Sequence, residues 1–454
     1  MELKGKKLIE LISLINSKQL SATEVFNYFL KRSNKYNKQL NAYLTICDNQ
    51  TGIPIAFKDN FLTRNIRTTA ASRVLEHYIP PYNATVVEKL LNKGFSVLGK
   101  TNMDAWAHGS STETSDFGSS KNPWDITRSP GGSSGGASSV VASYLCPVSI
   151  GSETAGSIRQ PSAWSGVVGL KPTYGRVSRY GVIAMGSSLD SPGVIALSVE
   201  DCAYILSIIA GKDKYDATSL TEDVPNYSES IKKNKKYVIG ISEEYLKDIE
   251  PDIKKNYFKA IEIFKKMGHK IKKIKLIDPS YSVSVYTIIQ RAEVSSNLSR
   301  YDGLRFGNNR SSFSEEAKKR IILGTFTLTQ GYVDEYYKKA QKIRTLIINN
   351  FKQAFNNIDL ILAPTTPNTA LKLGEFQKYS FFGELMDRLN EPSSIAGLPG
   401  ISIPVGLDKT KLPIGIQIIG KKLDEESVMN LAYQFEKETN FFGIIKELFK
   451  KYPD

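Results

Sequence analysis

Two serines and a lysine stand where acyl chemistry could be done. Ser133 lies in Ser129-Pro130-Gly131-Gly132-Ser133-Ser134-Gly135-Gly136, and Ser157 follows 24 positions later in Gly151-Ser152-Glu153-Thr154-Ala155-Gly156-Ser157-Ile158-Arg159-Gln160-Pro161. Both segments are built of small residues, which let backbone amides crowd a reacting atom. Lys58, in Ile55-Ala56-Phe57-Lys58-Asp59-Asn60, precedes Ser133 by 75 positions. A serine hydroxyl is a poor nucleophile until a base takes its proton. The chain has only three histidines, His77, His108 and His269. A lysine can serve instead if burial and neighbours leave its amine neutral. A lysine reaching one serine, which relays the proton to the other, makes a Lys–Ser–Ser system. Thr154, Ala155 and Gly156 would then offer N–H groups to a tetrahedral oxyanion, where losing one donor typically costs ~10²–10³ in rate. The chemistry indicated is cleavage of an amide without histidine.

Three other readings of these segments are weaker. Gly94-Phe95-Ser96-Val97-Leu98-Gly99-Lys100-Thr101 satisfies the phosphate-cradling pattern G-x-x-x-x-G-K-[ST]. Its variable positions, however, read as a strand rather than as a loop that wraps a phosphate. Gly131-Gly132-Ser133-Ser134-Gly135 satisfies the nucleophile-elbow pattern, which needs a downstream histidine. Only His269 qualifies, and Lys265-Lys266-Met267-Gly268-His269-Lys270 reads as an exposed helix C-terminus, where a cationic imidazole is favourable. A flexible Gly/Ser linker would not lie between apolar strands or lead into Ile158-Arg159-Gln160-Pro161.

The elements that must position these residues alternate between strands and helices. Helices are expected near 5–17 and 22–38, the second capped by Ser21 or Thr23. The strand Gly52–Phe57 delivers Lys58. A helix over 84–93 precedes the strand Phe95–Leu98, and a helix from Ala137 to Leu145 begins directly behind Ser133. Further on come a helix on Ile253, Tyr257, Ile261 and Phe264, a strand Lys270–Leu276, and a helix over 333–350. Strands at Asp359–Ala363, 400–405 and 413–419 follow. This order predicts an α/β fold, a mixed sheet covered by helices on both faces, in one domain over 1–454 with residues 1–50 packed on it as a helical region. The polar, Lys-rich stretch 212–236 reads as a surface excursion.

Of the 454 residues, 41% are hydrophobic and 23% charged, as in ordinary globular enzymes. No apolar run reaches the ~18 residues of a membrane-spanning helix. The start of the chain lacks a secretory h-region and is neither Arg-rich nor acid-poor, so a cytoplasmic location is expected. Cys47, Cys146 and Cys202 are odd in number and without CxxC spacing, which fits buried thiols better than disulfides or zinc ligands. The net charge of +14 could attract a polyanion such as tRNA, but runs such as Lys232–Lys236 and Lys270–Lys275 read as solvated lysine-rich faces.

On Pro130–Gly136, Gly156–Pro161 and Lys58-Asp59-Asn60, with their separations, the chain resembles the amidase signature family. The resemblance implies Ser157 as nucleophile, Ser133 as bridging serine, Lys58 as base, and a cis peptide between Gly132 and Ser133. It narrows within the family to the glutamine-hydrolysing subunits of tRNA-dependent amidotransferases. The segments that carry this are Lys100–Asp104, Gly109–Ser115, Gly166–Arg179, Ser299–Gly303, Lys319–Thr325 and Ala396–Gly400. That likeness implies Arg320 and Asp387 on the α-carboxylate and α-amino groups of glutamine, with Tyr301 beside them. It also implies no cofactor in this chain, ATP and Mg²⁺ on a partner B subunit that contacts the tRNA, and a small C subunit bound around both. An Arg fork and one carboxylate would suit a zwitterion, although the residues alone read as solvated helix faces.

Several features depart from the family pattern. Glu153 and Ala155 stand where relatives often carry Asp and Gly, and the segments Cys47–Gly52 and Asn308–Ser314 look abbreviated. Two alternatives keep part of the evidence: a stand-alone amidase acting on another small amide, and a silent tRNA-binding scaffold.

Overall fold

A computed structural model describes residues 3–48, 50–305, 307–378 and 384–454. The abbreviated segment after Cys47 is described except for Asn49, which lies outside these residues. Eleven strands of the described residues form one sheet. They are β1 (Tyr43–Ile46), β2 (Ile53–Lys58), β3 (Phe95–Thr101), β4 (Val148–Glu153), β5 (Val168–Lys171) and β6 (Ser191–Ala196). The remainder are β7 (Val238–Ile241), β8 (Lys270–Lys273), β9 (Leu360–Pro364), β10 (Gly400–Leu407) and β11 (Pro413–Gly420). Their order is β1-β3-β2-β4-β6-β5-β10-β11-β9-β7-β8. The sheet is mixed: β3, β2 and β4 run parallel, as do β9, β7 and β8, and the centre is antiparallel.

Alternation along the strands separates two apolar layers. Ile55, Phe57, Val97, Val194 and Ala196 join the helices Val199–Ile209, Pro251–Lys266 and Glu425–Thr439 on one face. Ala56, Leu98 and Ile195 join the helices Ala22–Leu40, Gly135–Ala142 and Phe442–Phe449 on the other. The central strands are therefore buried on both sides, which explains why they read as largely apolar runs, whereas the edge strand β8 is mostly exposed. Helix Ala22–Leu40 starts where Ser21 Oγ accepts the Glu24 N–H and the Glu24 carboxylate accepts the Ser21 N–H, a capping box. No helix among the described residues is long and apolar enough to cross a membrane.

Most expected elements are present within a few residues. The strand expected to reach Leu276 stops at Lys273. The helix after 333 begins as a π turn, Asp334–Lys338, before Lys339–Ala354. Strands β1, β4, β5, β6 and β7 are not among those expected from the sequence; each is short and spans only four to six residues.

Two expectations are corrected. The stretch 212–236 is not simply a surface excursion, because Tyr227 and Ile231 are in the main core. The fully buried Arg176 donates to the Tyr227 hydroxyl at 2.8 Å and to the carbonyls of Glu222 and Asp223, fastening this stretch. His269 is not an exposed cation. It is 4% exposed, its ring stacks on Tyr237, and its Nδ1 accepts the Tyr237 N–H. Burial, aided by the Lys236 charge, pushes its pKa down to about 4.

Candidate active site

The three chemistry-bearing residues come together because of strand direction. Lys58 ends β2 and Glu153 ends β4; these strands are parallel neighbours, so both chain segments emerge at the same edge. Ser133 sits two residues before the helix Gly135–Ala142, and the Ser134 N–H donates to the Ser157 carbonyl at 3.1 Å. Lys58, Ser133 and Ser157 are all buried. Lys58 Nζ lies 2.7 Å from Ser133 Oγ and 3.1 Å from the Ser152 carbonyl. The peptide between Gly132 and Ser133 is cis.

Burial pushes the Lys58 ammonium down to about 7, against the opposing pull of the Asp104, Asp190, Glu153 and Asp387 carboxylates. An amine balanced near neutrality can both accept and return a proton. If it is the base, kcat/KM rises with pH as Lys58 loses its proton and levels off above about 7. A pH–rate profile of ammonia release checks this; a flat profile between pH 6 and 8.5 is incompatible with it.

Segment 154–157 is held by a buried ion pair that motif reading did not single out. Arg159 donates to Glu153 Oε1 through Nε (2.9 Å) and Nη2 (2.6 Å). Glu153 Oε2 accepts the N–H groups of Ile158 and Arg159. Arg159 also reaches the Ala155 and Asn390 carbonyls, Gln417, Ser393 and Ser394, and both partners are buried. The longer Glu153 side chain thus closes a ring around the turn. Among the described residues the amides of Ala155, Gly156 and Ser157 meet no acceptor. Ala155 has no positive φ, so its methyl group costs no backbone strain and its N–H is kept.

Arg320 and Asp387 are not on solvated faces. Arg320 is 1% exposed and donates from Nε to Glu316 Oε1 at 2.6 Å. Asp387 is 3% exposed and its Oδ2 accepts the Ser110 hydroxyl at 2.5 Å. Burial raises its pKa well above the usual carboxylate range; the Ser110 hydrogen bond opposes this, and the Glu153 and Asp104 charges add to it. A Cβ on Gly156 would collide with Asp387 Oδ1, so only glycine lets this carboxylate approach the segment before Ser157. Tyr301 packs against Trp106 at 4.7 Å between ring centroids, in the cluster that holds Phe313, Ala317 and Ile321 near Arg320.

The sequence reading missed Ser110, Arg159 and Tyr286, whose hydroxyl is 2.9 Å from Thr154 Oγ1. Ser110 and Arg159 stood inside quoted motifs; nothing in the sequence marked Tyr286. The phosphate-loop lookalike is resolved as well. Gly99-Lys100-Thr101 completes strand β3, and the buried Lys100 is committed to Asp59, the Phe61 carbonyl and Thr68.

A layered α/β fold with a buried lysine–serine contact at the ends of parallel strands is the setting of amide-cleaving enzymes that dispense with histidine. The chain belongs to the Amidase family, whose model matches residues 24–429. It is 42% identical to the A subunit of glutamyl-tRNA(Gln) amidotransferase from Sulfurihydrogenibium sp. (strain YO3AOP1), covering 100% of both chains. It is 45% identical to the same-named protein of Caldanaerobacter subterraneus subsp. tengcongensis, covering 97% of this chain and 98% of that one. The crystal structure of the A subunit of glutamyl-tRNA(Gln) amidotransferase from Thermotoga maritima superposes with a TM-score of 0.85 at 36% identity, covering 97% and 96% of the two chains. A 6-aminohexanoate cyclic dimer hydrolase at 22% identity shares the fold, with a TM-score of 0.90.

Proposed function

We propose that this chain is the glutamine-hydrolysing subunit of a tRNA-dependent amidotransferase. The observation that carries the reading is the buried 2.7 Å contact between Lys58 and Ser133 beside Ser157, in a chain similar end to end to relatives of that name. Ser157 Oγ attacks the side-chain amide carbon of glutamine, and its proton passes through Ser133 to Lys58. The N–H groups of the Thr154–Gly156 segment and of Ser157 face the developing oxyanion. Lys58, acting back through Ser133, protonates the departing nitrogen, which leaves as ammonia. Water then cleaves the glutamyl ester of Ser157, releasing glutamate.

Arg320 forks onto the α-carboxylate, Asp387 receives the α-ammonium, and Tyr301 closes the pocket beside them. Burial disfavours the charged form of Asp387 in the empty site, and an incoming ammonium favours it, so the site gains an ion pair only with an amino-acid substrate. The ammonia passes to a B subunit, where ATP and Mg²⁺ activate Glu on tRNA(Gln) for conversion to Gln, with a C subunit bound to both. The assembly works in the cytoplasm, and this chain itself requires no cofactor.

Arg320→Ala is expected to raise the KM for glutamine by about 10–100-fold, the worth of a lost charged hydrogen bond, with an unchanged circular dichroism spectrum. Retained glutamine turnover at wild-type KM in that variant would instead favour a stand-alone amidase acting on another small amide.

A further inference from the structure

Two buried polar side chains close to this site play no part in the steps above. His108 is 1% exposed and Gln290 is fully buried, and neither ring nitrogen of the first nor either amide atom of the second has a hydrogen-bond partner among the described residues. A donor or acceptor buried without a partner lowers stability, so two of them on adjoining elements call for a ligand that completes them.

His108 lies near enough to Arg320 to feel its charge, and Gln290 is on the helix packed against the one that carries Arg320. Trp106 and Ala107, just before His108, pack with Val294 and Leu298 of the helix Ser280–Leu298 and with Ala317 of the helix Glu315–Leu328. The turn is thus wedged where these helices meet. The helices approach so closely that a Cβ on Gly324 would collide with the Arg291 carbonyl. Gln290 adjoins that contact, and Arg320 lies one turn before Gly324 on the facing helix. Gln290 also lies one turn beyond Tyr286, which contacts Thr154. On the other side Ser110, two residues after His108, donates to Asp387. Burial and the positive charges of Arg320 and Arg291 keep the His108 imidazole neutral, leaving one nitrogen as donor.

We propose that His108 and Gln290 are specificity-determining residues that donate hydrogen bonds to the α-carboxylate of bound glutamine beside Arg320. This rests on the glutamine reading above. An ionised carboxylate has about four acceptor positions; an arginine fork fills two at most, and an imidazole N–H and a carboxamide N–H suit the others. The two side chains then have partners only when an amino-acid substrate is bound.

The test uses the full chain assembled with its partner subunits. Ammonia release is measured with glutamine and with butyramide, which keeps the amide and lacks both α groups. His108→Leu and Gln290→Leu are expected to raise the glutamine KM about tenfold, with kcat within about twofold and kcat/KM for butyramide unchanged. Neither should lower the melting temperature, because each removes an unpartnered buried polar group. His108→Gln, which keeps an N–H donor, should hold the glutamine KM within about threefold of wild type, a requirement that stands even if leucine is not accommodated. An unchanged glutamine KM in the leucine variants overturns the assignment, as does an equal loss with both amides. Should wild type prefer butyramide to glutamine, the proposed function falls and this assignment with it. Should wild type prefer glutamine and His108→Leu keep that preference, only this assignment falls.

Discussion

Ser157→Ala is expected to lower the rate of ammonia release from glutamine by at least ~10³-fold without unfolding the chain, since residual catalysis from binding and oxyanion contacts is all that remains when a nucleophile is removed. Ser133→Ala should be nearly as damaging, because it breaks the 2.7 Å link to Lys58. Loss of rate alone therefore does not divide the roles of the two serines. Covalent trapping does: an electrophilic amide analogue should add its mass to the peptide carrying Ser157 and leave that carrying Ser133 unlabelled. Labelling of Ser133 would reverse the assignment and return the nucleophile to the elbow-like motif.

The second large effect is on stability. Arg159→Met should destabilise the chain by about 3–5 kcal/mol, because it leaves the Glu153 carboxylate buried without its counter-charge. The loss should be visible as a lower denaturant midpoint with an unchanged slope. Replacing both partners, Glu153→Gln with Arg159→Met, should recover much of it, since no buried charge is then left unpaired. A single variant within about 1 kcal/mol of wild type would mean that the ring around the 154–157 turn does little to hold it.

What the sequence disclosed follows how locally each feature is encoded. Ser133, Ser157 and Lys58 could be found because small residues and strand ends sit next to them in the chain. Their grouping needed only that β2 and β4 run parallel. The burial of Arg320 and Asp387 could not be read from the residues alone. An arginine after two lysines reads as a wet helix face, and only the packing of the helix Glu315–Leu328 against Ser280–Leu298 turns it inward. The Glu153–Arg159 pair was hidden for a related reason: its two members stand on a strand and a helix, and a tight turn folds one onto the other. His269 follows a lysine-rich helix end that reads as exposed, whereas the chain turns there into the strand from Lys270 and the ring packs against Tyr237 and Phe264. The rejected phosphate loop shows the opposite case, a motif whose letters match while its apolar spacing already declares a strand.

Gly156 is the point at which the residue proposed to read the substrate's ammonium touches the segment proposed to stabilise its transition state. Any side chain there displaces the Asp387 carboxylate. A change made to speed the chemistry thus alters which amide is accepted, and a change made to broaden the substrate range disturbs the chemistry. Laboratory evolution toward a new amide therefore cannot treat these two positions as independent dials. Libraries that randomise Gly156 and Asp387 jointly should yield active variants that libraries randomising either one alone do not reach.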